Sequence, residues 1–114
     1  MTLRFGLHEA TIQKIGAVFA RYPQVEKAIL YGSRAKGNYK NGSDIDLTLC
    51  GGMDLTLNVL YRTNAELDEL LLPYTIDMSI LSQISDPDLI AHIQRVGMTF
   101  YEKTPVYSEP VGTA

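Results

Sequence analysis

A chain of 114 residues, 46% hydrophobic and 20% charged, has room for one core and not for two. Its net charge of −3, from 10 Lys and Arg against 13 Asp and Glu, argues against a surface built to grip extended DNA or RNA. No apolar run approaches the roughly 18 residues of a membrane span, the N-terminus has no signal-peptide pattern, and the lone Cys50 excludes an intrachain disulfide. Cys50, His8 and His92 show no zinc-ligand spacing. The expectation is a cytoplasmic protein without membrane contact, with one domain over residues 1–104 and a flexible tail over 105–114, where two prolines interrupt a stretch of little apolar periodicity.

Taken in chain order, residues 8–22 read as a helix, with Ile12, Ile15, Phe19 and Tyr22 on one stripe and Pro23 as the stop. Residues 25–31 read as a strand ending at Gly32, residues 33–36 as one helical turn, and Gly37-Asn38 and Asn41-Gly42 as turns. Residues 44–50 are the clearest strand: Ile45, Leu47 and Leu49 take one face, Asp44, Asp46 and Thr48 the other. Asp54 is the expected N-cap of a helix running to Leu72, with Leu57, Leu60, Leu67 and Leu71 near one face. A third strand, Tyr74 to Leu81, repeats the alternation, with Ile76, Met78 and Ile80 opposite Thr75, Asp77 and Ser79. Asp86-Pro87 then starts a last helix that carries Leu89, Ile93 and Val96 inward and stops near Gly97. The pattern describes an α/β (α+β) domain: a mixed sheet with helices packed on one face and a chemical face opposite.

The chemistry concentrates in residues 29–49. A Gly-Ser turn leaving a strand aims backbone N–H groups and a hydroxyl at an anion, and Gly32 permits a close approach of the backbone. Asp44 and Asp46 lie about 6–7 Å apart on one strand face, a spacing that lets two carboxylates converge on one divalent ion or bridge a pair. An all-oxygen donor set favours Mg²⁺, with Mn²⁺ as the alternative, over Zn²⁺. Gly-Ser alone is a common turn, and Asp-x-Asp alone is usually two solvated acids. Together, as Gly-Ser-x(10)-Asp-x-Asp, they arise by chance in on the order of one chain in several hundred. Asp77 adds a third acid on the next strand, and three such carboxylates repel one another without a cation.

These residues resemble the signature of the DNA polymerase beta-type nucleotidyltransferase superfamily. Ser33-Arg34-Ala35-Lys36-Gly37 and Ser43-Asp44-Ile45-Asp46-Leu47 are similar to its minimal nucleotidyltransferase (MNT) branch, and the resemblance spans about residues 8–100. It implies the polymerase beta-like fold. It further implies that Gly32 and Ser33 bind a nucleotide triphosphate, with Arg34 a weaker candidate. Asp44, Asp46 and Asp77 would ligate two Mg²⁺ ions, and ATP would donate AMP to a hydroxyl. Lys36 and Lys40 could add positive charge near the phosphates or be solvated loop residues. Tyr31 and Tyr39 could stack on a base or simply pack. His8 and His92 read as helix-surface residues without a catalytic part.

Larger enzymes with this core carry further domains that hold the acceptor, and this chain has almost nothing left after the core. The resemblance supplies a partner, an all-helical HEPN-type protein, which the chain would modify as the antitoxin of a toxin–antitoxin pair. Three alternatives stand beside this. One is adenylylation of a small molecule such as an aminoglycoside, with a companion subunit. Another is a non-catalytic nucleotide-binding module that neutralises its partner by contact. The third, a metal-dependent phosphodiesterase, is disfavoured because Gly-Ser before paired acids suits a triphosphate better than a diester.

Overall fold

The protein is described by a computed structural model over residues 3–104, so the tail expected at 105–114 lies outside the described residues. A short hairpin comes first: β1 (Leu3–Arg4) pairs with β2 (Leu7–His8) across a two-residue loop, Phe5-Gly6, in which both φ angles are positive, as a I′ turn requires. Helix α1 (Glu9–Ala20) follows and buries Ile12, Ile15, Val18 and Phe19, the stripe set by its three-and-four periodicity. Next come β3 (Lys27–Tyr31), the single turn α2 (Ser33–Lys36), β4 (Ile45–Cys50), α3 (Leu57–Glu69) and β5 (Ile76–Ile80). A 3₁₀ turn at Leu81–Gln83 leads to α4 (Pro87–Val96) and β6 (Met98–Glu102).

The main sheet is mixed, in the order β5-β4-β3-β6, with β4 and β5 parallel and the other pairs antiparallel. Its register sorts the side chains into two faces. Ala28 pairs with Leu49, Leu30 with Leu47, and Ile45, Leu47 and Leu49 with Ile76, Met78 and Ile80. This aliphatic face meets α1 and α3 and forms the core. The opposite face carries Ile29 beside Thr48, Tyr31 beside Asp46, Asp46 beside Asp77, and Thr48 beside Ser79. The Ser79 hydroxyl donates to Thr48 Oγ1 at 2.9 Å, so the buried threonine is satisfied.

The expected packing of helices on one face holds for α1 and α3. Helix α4 instead lies against β3 on the polar face, where the His92 ring meets Tyr31 edge-on. Asp86 caps this helix as expected, its Oδ1 accepting from the Asp88 N–H at 3.0 Å.

Helix α3 departs from the sequence expectation. It starts at Leu57 after Thr56, not after Asp54, and its buried stripe is Val59, Thr63 and Leu67. Leu57 is 46% exposed and Leu71 88% exposed. The reason at the C-terminal end is conformational: Leu71 lies just past the helix with φ of 53°, the left-handed position that closes a helix, and this turns its side chain away from the stripe. The Thr63 hydroxyl takes a place in the buried stripe by donating to the Val59 and Leu60 carbonyls at 3.0 and 2.8 Å. At the other end of the core, Arg21 and Tyr22 both donate to the Glu66 carboxylate and tie α1 to α3.

Two elements have no counterpart in the sequence reading: the β1–β2 hairpin and β6. Strand β6 carries an irregularity opposite Ala28 and Ile29, where the register passes over Phe100, a buried ring that stacks on Phe5. No helix among the described residues is long and apolar enough to cross a membrane.

Candidate active site

Strand β3 ends in a backbone geometry that only glycine adopts without strain. Gly32 has φ of 75° and ψ of −156°, and a Cβ there would lie 2.3 Å from Asp46 Oδ2. The Asp46 carboxylate is therefore packed directly on the Gly32 backbone. The turn α2 then closes on itself, the Lys36 N–H donating to the Gly32 carbonyl at 3.0 Å and Gly37 ending it in the left-handed region. Ser33, half-buried, is the first residue of that turn.

Strand β4 supplies the acids. Asp44 is exposed just ahead of the strand, and Asp46 is half-buried on its polar face. The Ile45 N–H donates to the Thr75 carbonyl at 2.9 Å, which aligns the start of β5 and sets Asp77 opposite Asp46. Asp77 is exposed, on a strand at the edge of the sheet.

The electrostatics agree with this crowding. The Asp46 carboxyl is held above the usual range, first by burial, then by the charges of Asp77 and Asp44. Burial also raises the Tyr31 phenol, with Asp46 and Asp77 adding to the effect and Ser79 acting against it.

The expected site residues are thus partly gathered. Gly32, Asp46 and Asp77 come together, Asp44 acts on Asp46 from two residues away, and Ser33 follows Gly32 on the same turn. No group of three His, Cys, Asp or Glu side chains among the described residues is close enough to hold a metal ion. The donor chemistry nevertheless fits a hard divalent ion: the ligand candidates are all carboxylates, two of them are exposed, and the half-buried one is destabilised in its charged form by burial and then by the other two.

Arg34 is employed differently from the expectation. It is 3% exposed, its Nε donates to the Ser43 carbonyl at 3.0 Å and its Nη1 to the Phe5 carbonyl at 2.9 Å. Its guanidinium also lies 5.3 Å from the Tyr39 ring centre and 4.9 Å from that of Tyr74. These contacts tie the hairpin, the 37–44 loop and the entry to β5 together, so Arg34 is a structural anchor. Tyr39 is accounted for by the same cluster. Lys36 and Lys40 are exposed.

His92 is the residue that sequence reasoning passed over. It is not a plain surface residue: its Nε2 accepts the Gly32 N–H at 3.2 Å, and its ring sits 6.1 Å from Tyr31 at an interplanar angle of 83°. Sixty positions separate the two partners, and no local pattern signals the contact. Only the route of α4 across the polar face brings them together.

Comparison with known proteins follows the same line. The sequence profile of the family described as "Polymerase beta, Nucleotidyltransferase" matches residues 13–105. No curated protein matches the sequence. Among solved structures, a toxin–antitoxin crystallised with AMP-PNP is similar over 85% of this chain and 75% of its own, at 21% identity and a TM-score of 0.64. A chain of the toxin–antitoxin MntA–HepT is similar over 84% and 74%, at 16% identity and a TM-score of 0.62. A tri-AMPylated Shewanella oneidensis HEPN toxin in complex with its MNT antitoxin gives 83% and 72%, at 17% identity and a TM-score of 0.61. At these identities the likeness is one of fold.

Proposed function

Because the chain belongs to the polymerase beta nucleotidyltransferase family, we propose that it transfers AMP from ATP to a hydroxyl on a HEPN-type partner protein, and acts as the antitoxin of that pair. The observation that carries this reading is the packing of Asp46 on Gly32 with Asp77 in register beside it. In this reading the turn assigned to the phosphates and the carboxylates assigned to the metal are in contact. The AMP-PNP in one structural neighbour and the AMPylated toxin in another support the choice of donor and acceptor.

In this reading the Ser33 hydroxyl and the backbone of the Gly32 turn hold the triphosphate, and Gly32 lets it approach without a side chain in the way. Asp46, held from below by Gly32, and Asp44 and Asp77, both exposed, would hold a pair of hard divalent cations. Such cations, when bound, supply the positive charge that offsets the triphosphate and promote ionisation of the acceptor hydroxyl. Asp77, exposed on the edge strand, orients the attacking hydroxyl in this reading. The acceptor oxygen forms a bond to the α-phosphorus as the bond to pyrophosphate breaks, and the hydroxyl proton passes to solvent or to the Asp77 carboxylate.

The test is incubation with ATP labelled at the α-phosphate, Mg²⁺ and the co-purifying partner, followed by mass spectrometry of both chains. An AMP adduct on a partner hydroxyl is the expected result. Label on an aminoglycoside or other small molecule would redirect the acceptor assignment. Neutralisation of the partner by an Asp77→Asn variant that transfers no label would mean that contact, not transfer, is the function.

A further inference from the structure

We infer that His92 is a positioning residue for the nucleotide site: its imidazole fixes the Gly32 peptide, and through it the Asp46 carboxylate. The inference rests on the nucleotidyl-transfer reading of this site and adds a residue to it.

Three features make the contact more than a chance approach. First, Gly32 is held at each of its polar or close-packed points. Its N–H donates to His92 Nε2 at 3.2 Å, its carbonyl accepts from the Lys36 N–H at 3.0 Å, and its Cα lies against Asp46. Of these, only the Lys36 bond is local to the turn; the His92 and Asp46 contacts come from α4 and β4. Second, a glycine with φ of 75° and ψ of −156° has access to many other conformations, so an external hold on its N–H has something to restrict. Third, His92 is delivered by a rigid element. Helix α4 is capped by Asp86 at its start, and at its end Gly97 brings it so near the sheet that a Cβ there would meet Ile93 O at 2.4 Å and Ile29 Cγ2 at 2.8 Å. The edge-on contact with Tyr31 fixes the ring's direction from below. Accepting at Nε2 leaves the ring proton of the neutral imidazole on Nδ1.

The imidazole thus acts through Gly32 without being placed on the substrate. Remove its lone pair and the Gly32 N–H loses its partner. The turn gains freedom, and the seat of Asp46 loosens with it. A competing geometry is conceivable on the same contact: the imidazole could stand where a phosphate oxygen binds and have to leave. The two have opposite consequences for affinity.

Two variants of the full chain separate them. His92→Phe keeps a ring against Tyr31 and removes the acceptor, whereas His92→Gln returns an acceptor oxygen near the Nε2 position. Binding of AMP-PNP with Mg²⁺ is measured by calorimetry, with thermal melts as a check on folding. The Gly32 amide resonance is followed by NMR without nucleotide. The expected result is a rise in Kd of about tenfold for His92→Phe, a value within about threefold of wild type for His92→Gln, and little change in Tm for either. The Gly32 amide should shift in the Phe variant and return toward its wild-type position in the Gln variant. Unchanged binding by His92→Phe, or equal loss in both variants, would overturn the inference and leave His92 a packing residue. Tighter binding by His92→Phe would overturn it in favour of competition with phosphate. If the wild-type chain binds no nucleotide, the reading of the site itself fails, and the inference falls with it.

Discussion

Two neighbouring parts of residues 32–46 treat their charges in opposite ways. Around Arg34 every feature is internal: the guanidinium is buried, two backbone carbonyls accept from it, and two tyrosine rings cover it. Around Asp46 the charges are set against one another. Burial first, and then the charges of Asp77 and Asp44, raise its carboxyl, and the residue beneath it is a glycine that nothing larger could replace. The first arrangement satisfies its charged group with hydrogen bonds and ring contacts, so the energy of the folded chain does not depend on an added ion there. The second raises it, and becomes favourable only when something positive is added. Building a loop and building a site are thus distinguished by which charges are left unanswered.

The comparison can be broken at several points. Gly32→Ala should have the largest effect, because a Cβ would force φ out of the left-handed region and collide with Asp46 Oδ2. Backbone strain alone is of order 1–3 kcal/mol, and transfer should fall below detection in the labelling assay. Retained transfer would show that Asp46 does not need its seat on Gly32.

Arg34→Ala should come next, lowering stability by about 2–4 kcal/mol in chemical denaturation, since it removes a buried cation with two carbonyl partners. Transfer per folded molecule should be almost unchanged. A folded Arg34→Ala protein that cannot bind nucleotide would restore Arg34 to the phosphate site and make the two regions one.

A smaller effect, of opposite sign, is expected for Asp46→Asn without metal. The folded Asp46 carboxyl is raised from its ordinary 3.8. The folded state therefore holds its proton more tightly than the unfolded state, and ionisation of Asp46 costs stability as pH rises from about 3.8 through the folded value. Asp46→Asn should melt at most a few degrees above wild type at pH 7, and the difference should vanish below pH 4. Added Mg²⁺ should raise the melting temperature of wild type and not of the variant. A wild-type protein more stable than Asp46→Asn at neutral pH without metal would contradict the crowding described here.

Glu66→Ala should have the least effect. The Arg21–Glu66 pair and the Tyr22 contact lie at the surface between α1 and α3, on the face away from the acids. A slight fall in melting temperature and unchanged transfer are expected.

Much of this contrast could be read from the residues, and some could not. The alternation of Ile45, Leu47 and Leu49 with Asp46 and Thr48 is a local signal, and it placed both faces of β4 correctly. The same alternation puts Asp77 on the polar face of the next strand, whereas its place directly beside Asp46 follows from the parallel register of β4 and β5. Leu57 and Leu71 misled, because leucines at helical spacing look alike whether or not the helix extends far enough to bury them. Strand β6 escaped notice because its register passes over Phe100, so the period of two is broken where it would have been recognised. Arg34 and His92 were beyond reach for a different reason. Their partners, Phe5 and Gly32, lie 29 and 60 positions away, and such contacts depend on the path of whole elements.

The most direct test of the central claim compares transfer of the α-phosphate label to the partner by wild type, Asp46→Asn and Asp77→Asn, with Mg²⁺ and with each protein shown to be folded. The account expects both variants to lose at least about a thousandfold in rate while keeping their circular dichroism and cooperative melting. An Asp77→Asn protein that transfers label as fast as wild type, with the same dependence on Mg²⁺, would contradict it.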